Sequence, residues 1–187
     1  MANITLNEEQ LRFEFNNVQS GVKFDMQPPT LPEHDLLGGK LRPVDFIIET
    51  ADSVFFIEVK DPKHIGARSR DVKEFMRKAR GTSTELGDTL ISKCKDTYIN
   101  RVCTGNQPDP TKNLFYYVLI TGLDTALLVH LTEQLQSLPV LKPGGAELEK
   151  LHSHDQRWDF VNAAAAFNLQ TWRARFPDFL VERKLVE

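Results

Sequence analysis

The sequence predicts an α/β fold with a small mixed β-sheet flanked by helices. Two runs rich in Val, Ile and Phe, 43–50 and 54–60, stand on either side of a short polar turn and predict a β-hairpin. A continuous apolar run over 114–120 predicts a strand buried on both faces. The long helical connection between them suits a crossover that returns the chain to the same sheet.

Composition and length exclude several classes of protein. The chain has 187 residues, of which 41% are hydrophobic and 26% charged, so it can bury a core without disulfides. Its apolar runs are too short to span a bilayer, and the first ten residues lack the pattern of a secretory signal. Two cysteines are too few for a disulfide framework or an iron–sulfur cluster. We therefore expect a cytoplasmic protein with no membrane partner.

The N-terminal segment predicts a helix, a short strand and a loop. Leu11 and Phe15 belong to an apolar stripe at helical spacing, which predicts a helix over 7–19. Weak alternation over 22–26 indicates a short strand. The next segment, 27–40, contains three prolines and two glycines and is predicted to be loop.

Four further helices are predicted after the hairpin. The segment 70–80 has separate apolar and basic faces, and 82–102 begins with the spacing of a capping box. A third helix follows a capping residue at 124–125 and reaches Leu138, and a fourth covers 156–175. We expect a helical C-terminal part, 124–187, packed on the same domain.

The hairpin carries the residues with the clearest chemistry. A loop of two or four residues at the turn places Asp45 directly opposite Glu58, and Lys60 shares a strand face with Glu58. Two opposed carboxylates among apolar neighbours repel, and a divalent cation such as Mg²⁺ or Mn²⁺ compensates for the repulsion. A lysine beside such a site acts on a water molecule or on phosphoryl charge. These residues predict a phosphodiester-hydrolysing site.

The same residues carry a family resemblance. Pro43-Val44-Asp45, followed after twelve residues by Glu58-Val59-Lys60, resembles the motif of the PD-(D/E)XK nucleases. That family includes restriction endonucleases, Holliday-junction resolvases and repair or defence nucleases, and its motif lies on such a hairpin after an N-terminal helix. The resemblance implies a restriction-endonuclease-like core, which we place over 1–123.

The resemblance also implies roles for individual residues. It implies that Asp45, Glu58 and the main-chain carbonyl of Val59 bind the metal, while Lys60 acts on the water. The family often places an acid on its first helix near the metal, and Glu14 falls on the predicted helix stripe. The alternative for Glu14 is a solvated position at the stripe edge. The alternative for the whole motif is a surface hairpin whose acids and lysine form exposed ion pairs.

Basic residues cluster directly after the motif. The segment 60–80 contains eight Lys or Arg residues and three acids, in a chain of net charge −3. We expect six cations to bind nucleic acid, or else to be solvated: Arg70, Lys73, Arg77, Arg80, Lys93 and Lys95.

The sequence therefore predicts a Mg²⁺-dependent nuclease, a hydrolase acting on DNA in restriction, repair or defence. It would work alone, as a homodimer or in a larger nuclease complex. One alternative is a non-cleaving nucleic-acid-binding or assembly subunit on the same fold. Another is a protein-interaction module that uses C-terminal aromatic residues: Trp158, Trp172, Phe176 and Phe179.

Overall fold

The computed structural model describes residues 1–25, 41–80, 84–136 and 161–184. Within these ranges the protein is a mixed α/β structure with two sheets and four helices. The elements in chain order are β1 (Ala2–Glu8), β2 (Leu11–Val18), β3 (Ser20–Lys23), β4 (Phe46–Glu49), β5 (Ser53–Lys60), α1 (Ser69–Arg80), α2 (Glu85–Cys103), β6 (Asn113–Ile120), α3 (Thr125–Leu135), β7 (Ala163–Phe167), α4 (Leu169–Arg175) and β8 (Phe179–Arg183).

The larger sheet has five strands in the order β3-β4-β5-β6-β7. The pairs β3–β4 and β4–β5 are antiparallel, whereas β5–β6 and β6–β7 are parallel. In the β4–β5 hairpin Phe46 pairs with Ile57, and the amide of Thr50 donates to the carbonyl of Ser53 at 2.8 Å. The predicted register of the hairpin is therefore confirmed over 46–49, and its continuation by one residue brings Asp45 beside Glu58.

The five-stranded sheet is covered on both faces. One face packs against α1, α2 and α3 around a core that includes Phe56, Leu90 and Tyr116. The other face packs against the antiparallel sheet β1-β2-β8 and helix α4, around Phe13 and Trp172. Burial on both faces explains why β5 and β6 are almost continuously apolar in sequence.

The predicted N-terminal helix is wrong, because the segment forms the antiparallel hairpin β1–β2. Leu11 and Phe15 are four residues apart, a spacing that fits one face of a helix and one face of a strand equally well. Phe13 decides between them: it is fully buried beside both, so alternate residues of β2 enter the core. The short strand expected over 22–26 is present as β3, which begins two residues and ends three residues earlier than predicted.

The three helices between β5 and β7 were predicted correctly in type. Helices α1 and α2 begin and end close to the predicted bounds. Asp124 caps α3 by accepting a hydrogen bond from the amide of Leu127 at 2.9 Å. The capping box expected at Thr82 and Glu85 is wrong, because α2 begins at Glu85 with Thr84 as N-cap and no side-chain capping hydrogen bond. Helix α3 ends at Leu135, before the predicted end at Leu138; Thr82 and Leu138 themselves lie outside the described residues.

The expected helical C-terminal part is wrong for two segments. Ala163–Phe167 is strand β7, and Phe179–Arg183 is strand β8, which pairs with β2; among the described residues of 124–187, the helices are α3 and α4. Alanine favours helices, but pairing with β6 overrides that preference, and the amide of Ala166 also donates to Thr132 of α3. Residues 156–160 of the predicted helix lie outside the described residues.

The C-terminal aromatic residues form core rather than a docking face. Trp172 is fully buried and donates from Nε1 to the carbonyl of Phe179 at 2.8 Å. Phe179 is buried and Phe176 packs against the same cluster. This overturns their expected role in partner binding, while Trp158 lies outside the described residues.

The cysteines and the helices bear on the expectations about disulfides and membrane spans. Cys94 is buried and Cys103 exposed, and both are free thiols. Among the described residues, no helix has the length and apolar character needed to cross a bilayer.

Candidate functional site

The candidate site lies where strands β4 and β5 separate. Their ladder ends at Phe46 and Ile57, and the amide of Val44 donates to Thr97 Oγ1 of α2 instead of to β5. Asp45 fills the gap, because its Oδ2 accepts a hydrogen bond from the amide of Val59 at 2.5 Å. The side chain of Asp45 therefore replaces the next ladder contact between the two strands.

The main chain of Val59 presents an oxygen to the same gap. In an antiparallel ladder the N–H and C=O of one residue point toward the same neighbouring strand. Since the amide of Val59 points to Asp45, its carbonyl also faces the Asp45 side. The next carbonyl, of Lys60, faces the opposite way and accepts from the amide of Thr121 at 2.9 Å. Val59 is thus placed as its expected ligand role requires.

Both motif carboxylates are buried. Asp45 is 3% exposed and Glu58 is 0% exposed. They lie on the sheet face covered by α2, together with the hydroxyl of Tyr116, which donates to the carbonyl of Leu90 at 2.8 Å. A surface hairpin with exposed ion pairs does not describe this arrangement.

Two lysines meet at one oxygen of Glu58. Lys60 Nζ lies 2.6 Å and Lys93 Nζ 2.7 Å from Glu58 Oε1, and Lys93 Nζ is also 4.0 Å from Asp45 Oδ1. Lys93 was expected to contact phosphate from a helix surface. Its side chain is only 17% exposed and belongs to the carboxylate cluster, whereas Lys95 on the same helix is exposed.

The cluster changes the protonation of its members. Burial, followed by the nearby Glu58 carboxylate, raises the pKa of Asp45 to about 8. Burial lowers the pKa of Lys60, but the carboxylates of Glu58 and Asp45 outweigh this effect, so its pKa is raised and the ammonium form is favoured. At neutral pH the metal-free cluster therefore combines protonated Asp45 with a charged Lys60.

Two acids that sequence reasoning missed join Asp45. Carboxylate oxygens of Glu8 and Asp25 lie within 4.8 Å of one another and of an Asp45 oxygen. Glu8 also forms an ion pair with Lys23 at 2.7 Å. A helix over 7–19 does not predict that Glu8 lies near the motif, whereas strand β1 brings it there. Recognising the strand alternation around Phe13 would have placed β1 beside the core.

Glu14 does not belong to the cluster. It lies on β2, on the face opposite to the buried residues Phe13 and Phe15, and its Oε1 is 2.6 Å from a nitrogen of Arg12. Its predicted catalytic position depended on a helix, and the strand directs the side chain away from the inter-sheet core. The prediction for Glu14 is therefore wrong.

The residues at this site fit a divalent cation. Glu58 Oε2 is buried and has no hydrogen-bond partner among the described residues, and the same holds for Asp25 Oδ1. Asp45, Glu58 and the Val59 carbonyl form an all-oxygen donor set, which suits Mg²⁺ or Mn²⁺. Buried carboxylate oxygens without partners are satisfied by such an ion.

Helix α1 carries the predicted basic stripe on its surface. Arg70, Lys73, Arg77 and Arg80 are all exposed. A groove of about 780 Å³ runs along them, lined by Arg68, Arg70, Asp71, Lys73, Glu74 and Arg77.

The charges of this stripe are not equivalent. Arg77 lies 2.9 Å from Glu74 and 3.5 Å from Glu85, so it is partly neutralised. No carboxylate of the described residues forms an ion pair with Arg70 or Lys73, which makes these two the stronger phosphate-binding candidates.

No protein-family model matches the chain, and neither a curated protein nor a solved structure matches it significantly. Its function is therefore inferred from the arrangement of its own residues.

Proposed function

We propose that the chain is a divalent-metal-dependent nuclease of the PD-(D/E)XK type that hydrolyses phosphodiester bonds in DNA. The observation that carries this proposal is the pair Asp45 and Glu58, buried on adjacent strands with Lys60 and Lys93 at ion-pair distance. Burying two carboxylates carries a desolvation cost that the ion pairs with the two lysines need not repay, so stability alone does not account for the arrangement. Such groups concentrate at functional sites.

Each residue of the motif has a role in this proposal. Asp45, Glu58 and the Val59 carbonyl hold the cation, which neutralises phosphate oxygens and lowers the pKa of a bound water. Lys60 is 36% exposed and its ammonium contacts Glu58, so it would stand at the solvent-accessible edge of the site. There it orients the attacking water or stabilises charge that develops on the phosphoryl group.

The fold supports the proposal and also departs from the family pattern. The motif lies on a hairpin in a small mixed sheet, and the chain then crosses through α1 and α2 to the parallel strand β6. The expected N-terminal helix is replaced by the β1–β2 hairpin. The additional acid that approaches the motif is accordingly Glu8 of β1 rather than Glu14 of β2.

One observation favours the second candidate, a non-cleaving nucleic-acid-binding or assembly subunit. Lys60 and Lys93 already contact Glu58, so the cluster has compensating charge before any metal binds. A protein of this kind would bind nucleic acid through α1 with the same affinity in EDTA and in Mg²⁺, and it would not cut.

A cleavage assay separates the two candidates. Supercoiled plasmid and labelled oligonucleotides are incubated with the protein in Mg²⁺, in Mn²⁺ and in EDTA. We expect cleavage that requires the metal and is lost in Asp45→Asn and in Glu58→Gln. Glu14→Gln is the matched control, because that acid lies outside the cluster and its replacement should leave cleavage unchanged. Intact DNA under all conditions, or cleavage that survives in Asp45→Asn, contradicts the proposal.

Assembly is part of the same proposal and is tested separately. We propose that the chain acts as a homodimer or within a larger nuclease complex. Light scattering with and without DNA measures the mass. A monomer that cuts both strands at full rate contradicts this part alone.

A further inference from the structure

A pocket opens beside Lys60, on the side of the site that leads toward α1. Its volume is about 330 Å³, and its walls come from the β5–α1 connection, from α1 and from Glu9. Lys60 and Asp61 are the lining residues that belong to or directly follow the motif, and Arg68 and Phe75 also line the pocket. Because Lys60 also contacts Glu58, the pocket adjoins the carboxylate cluster directly.

The pocket is continuous with the groove along α1. Arg68 and Asp71 line both concave surfaces. Lys60 lines the pocket, Arg70 and Lys73 line the groove, and Arg68 belongs to both surfaces. Helix α1 has 12 residues and is about 18 Å long, which is enough for several successive phosphates of an extended strand.

The walls of the pocket combine apolar surface with a cation. Val72 and Phe75 are half-buried and line it, and Ile65, which stands in sequence between the lining residues His64 and Gly66, is 73% exposed. An exposed apolar side chain between two lining residues offers a surface on which a base can stack. Arg68 supplies a positive charge for the adjoining phosphate.

Three acids line the pocket, and of these Asp71 is exposed and also lines the groove, while Asp61 and Glu9 leave the pocket open to a nucleotide. Asp61 is buried and its Oδ1 accepts from Arg183 at 2.7 Å and from the hydroxyl of Thr121, so its charge is compensated within the protein. Burial raises the pKa of Glu9, which lies 3.9 Å from His64. These groups suit the polar edge of a base better than they suit a phosphate.

We propose that this pocket holds one unpaired nucleotide beside the scissile phosphate, so that the substrate is single-stranded DNA or a single-stranded end of a duplex. The inference rests on the proposed nuclease function, because Lys60 forms part of the pocket. The volume is at the lower end of the roughly 300–1,000 Å³ of small-molecule sites, which suits one nucleotide and not a paired segment.

The test measures binding without cleavage. Labelled oligothymidine of about 12 nucleotides and its duplex with oligoadenine are titrated with the protein in EDTA, with anisotropy as the readout. We expect single strands to bind at least 10-fold more tightly than duplex. Ile65→Ser and Arg68→Ala should each weaken single-strand binding by roughly 10-fold, the scale of one lost stacking or phosphate contact.

Two matched variants control for general effects on charge and surface. Ile99→Ser removes another exposed isoleucine, on α2, and Arg175→Ala removes an exposed arginine of α4, which packs on the opposite face of the sheet. Both should bind like the parental protein. Circular dichroism verifies that all four variants are folded, which their exposed positions favour.

The outcomes separate this inference from the nuclease proposal. Equal affinity for single strands and duplex overturns the pocket assignment, and so does a change below twofold in both Ile65→Ser and Arg68→Ala. Metal-dependent cleavage without single-strand preference overturns the pocket alone. Single-strand preference that depends on Ile65 and Arg68, in a protein that never cuts, supports the pocket and overturns the nuclease.

Discussion

At the scale of the residue, Asp45 shows how one side chain links fold and site. Its carboxyl completes the separated end of the β4–β5 ladder by accepting from the amide of Val59. The same carboxyl is buried beside Glu58, which raises its pKa to about 8. The group is therefore structurally satisfied as a hydrogen-bond acceptor and electrostatically strained as an anion.

This strain predicts a pH dependence of the metal-free protein. In the unfolded chain Asp45 ionises near pH 3.8, whereas in the folded protein it stays protonated up to about pH 8. The stabilising contribution of the folded protonated form is therefore fully present below about pH 4, and it is lost as pH rises through 8.

We expect Asp45→Asn to raise the melting temperature in EDTA at pH 8 and to change it little at pH 4. The asparagine side chain keeps an oxygen that can accept from the main-chain N–H of Val59, and it cannot ionise. Each kcal/mol recovered corresponds to roughly 2–4 °C in a chain of this size. Thermal unfolding at the two pH values measures the effect, with Glu14→Gln as control. A lower melting temperature for Asp45→Asn at pH 8 would show that the pair is not strained.

Lys93 gives a second prediction at this scale. Its ammonium lies 2.7 Å from Glu58 Oε1, so it acts as a fixed counterion of the carboxylate pair. Lys93→Gln removes that charge. We expect the metal-free protein to melt at a lower temperature, and Mn²⁺ to bind several-fold more tightly because less positive charge opposes it.

Lys95→Gln is the matched control, since Lys95 lies two residues further along the same helix and is exposed. Calorimetry with Mn²⁺ and thermal unfolding in EDTA are the two readouts. If both variants behave alike, Lys93 is a surface cation and not part of the cluster.

At the scale of the element, strong local patterns identified the hairpin, α1, α2 and β6. In each of those segments the apolar residues follow a single periodicity or form a continuous run, so the sequence is compatible with only one type of secondary structure. The N-terminal and C-terminal segments failed for a different reason. Leu11 and Phe15 satisfy both periods, and the alanines of β7 favour a helix until β6 offers a pairing edge. Tertiary contacts decide such cases, and the sequence does not display them locally.

Helix α1 supports a prediction about charge. Arg70 and Lys73 have no acidic partner among the described residues, whereas Arg77 is paired with Glu74 and Glu85. We expect the double variant Arg70→Glu, Lys73→Glu to flatten the salt dependence of DNA binding, by about one unit of slope for each lost phosphate contact.

The single variant Arg77→Glu should flatten that slope less than Arg70→Glu or Lys73→Glu alone, because Glu74 and Glu85 already partly neutralise Arg77. Mn²⁺ affinity should remain at the parental value in all of these variants, since α1 contributes no ligand. A salt slope that stays unchanged in the double variant would identify the basic face as merely solvated.

At the scale of the whole molecule, the site lies where several distant parts of the chain meet. Strand β1 brings Glu8, the hairpin brings Asp45 and Glu58, and α2 brings Lys93. Strand β8 reaches the same end through Arg183, which is 2.7 Å from the Asp61 that follows Lys60. The sequence could predict the hairpin part of the site because it is local. It could not predict Glu8, Asp25 or the inward position of Lys93, which depend on packing between elements.

We propose above that this cluster performs metal-dependent phosphodiester hydrolysis, and replacing Lys60 is the sharpest test of that function. Lys60 contributes no metal ligand, so Lys60→Ala should retain Mn²⁺ binding and most DNA affinity while losing stabilisation of the transition state. Single-turnover cleavage with saturating protein removes binding from the measured rate. We predict a rate roughly 10²–10³-fold below the parental value, the scale of one lost electrostatic donor. Cleavage by Lys60→Ala at the parental rate would contradict the account.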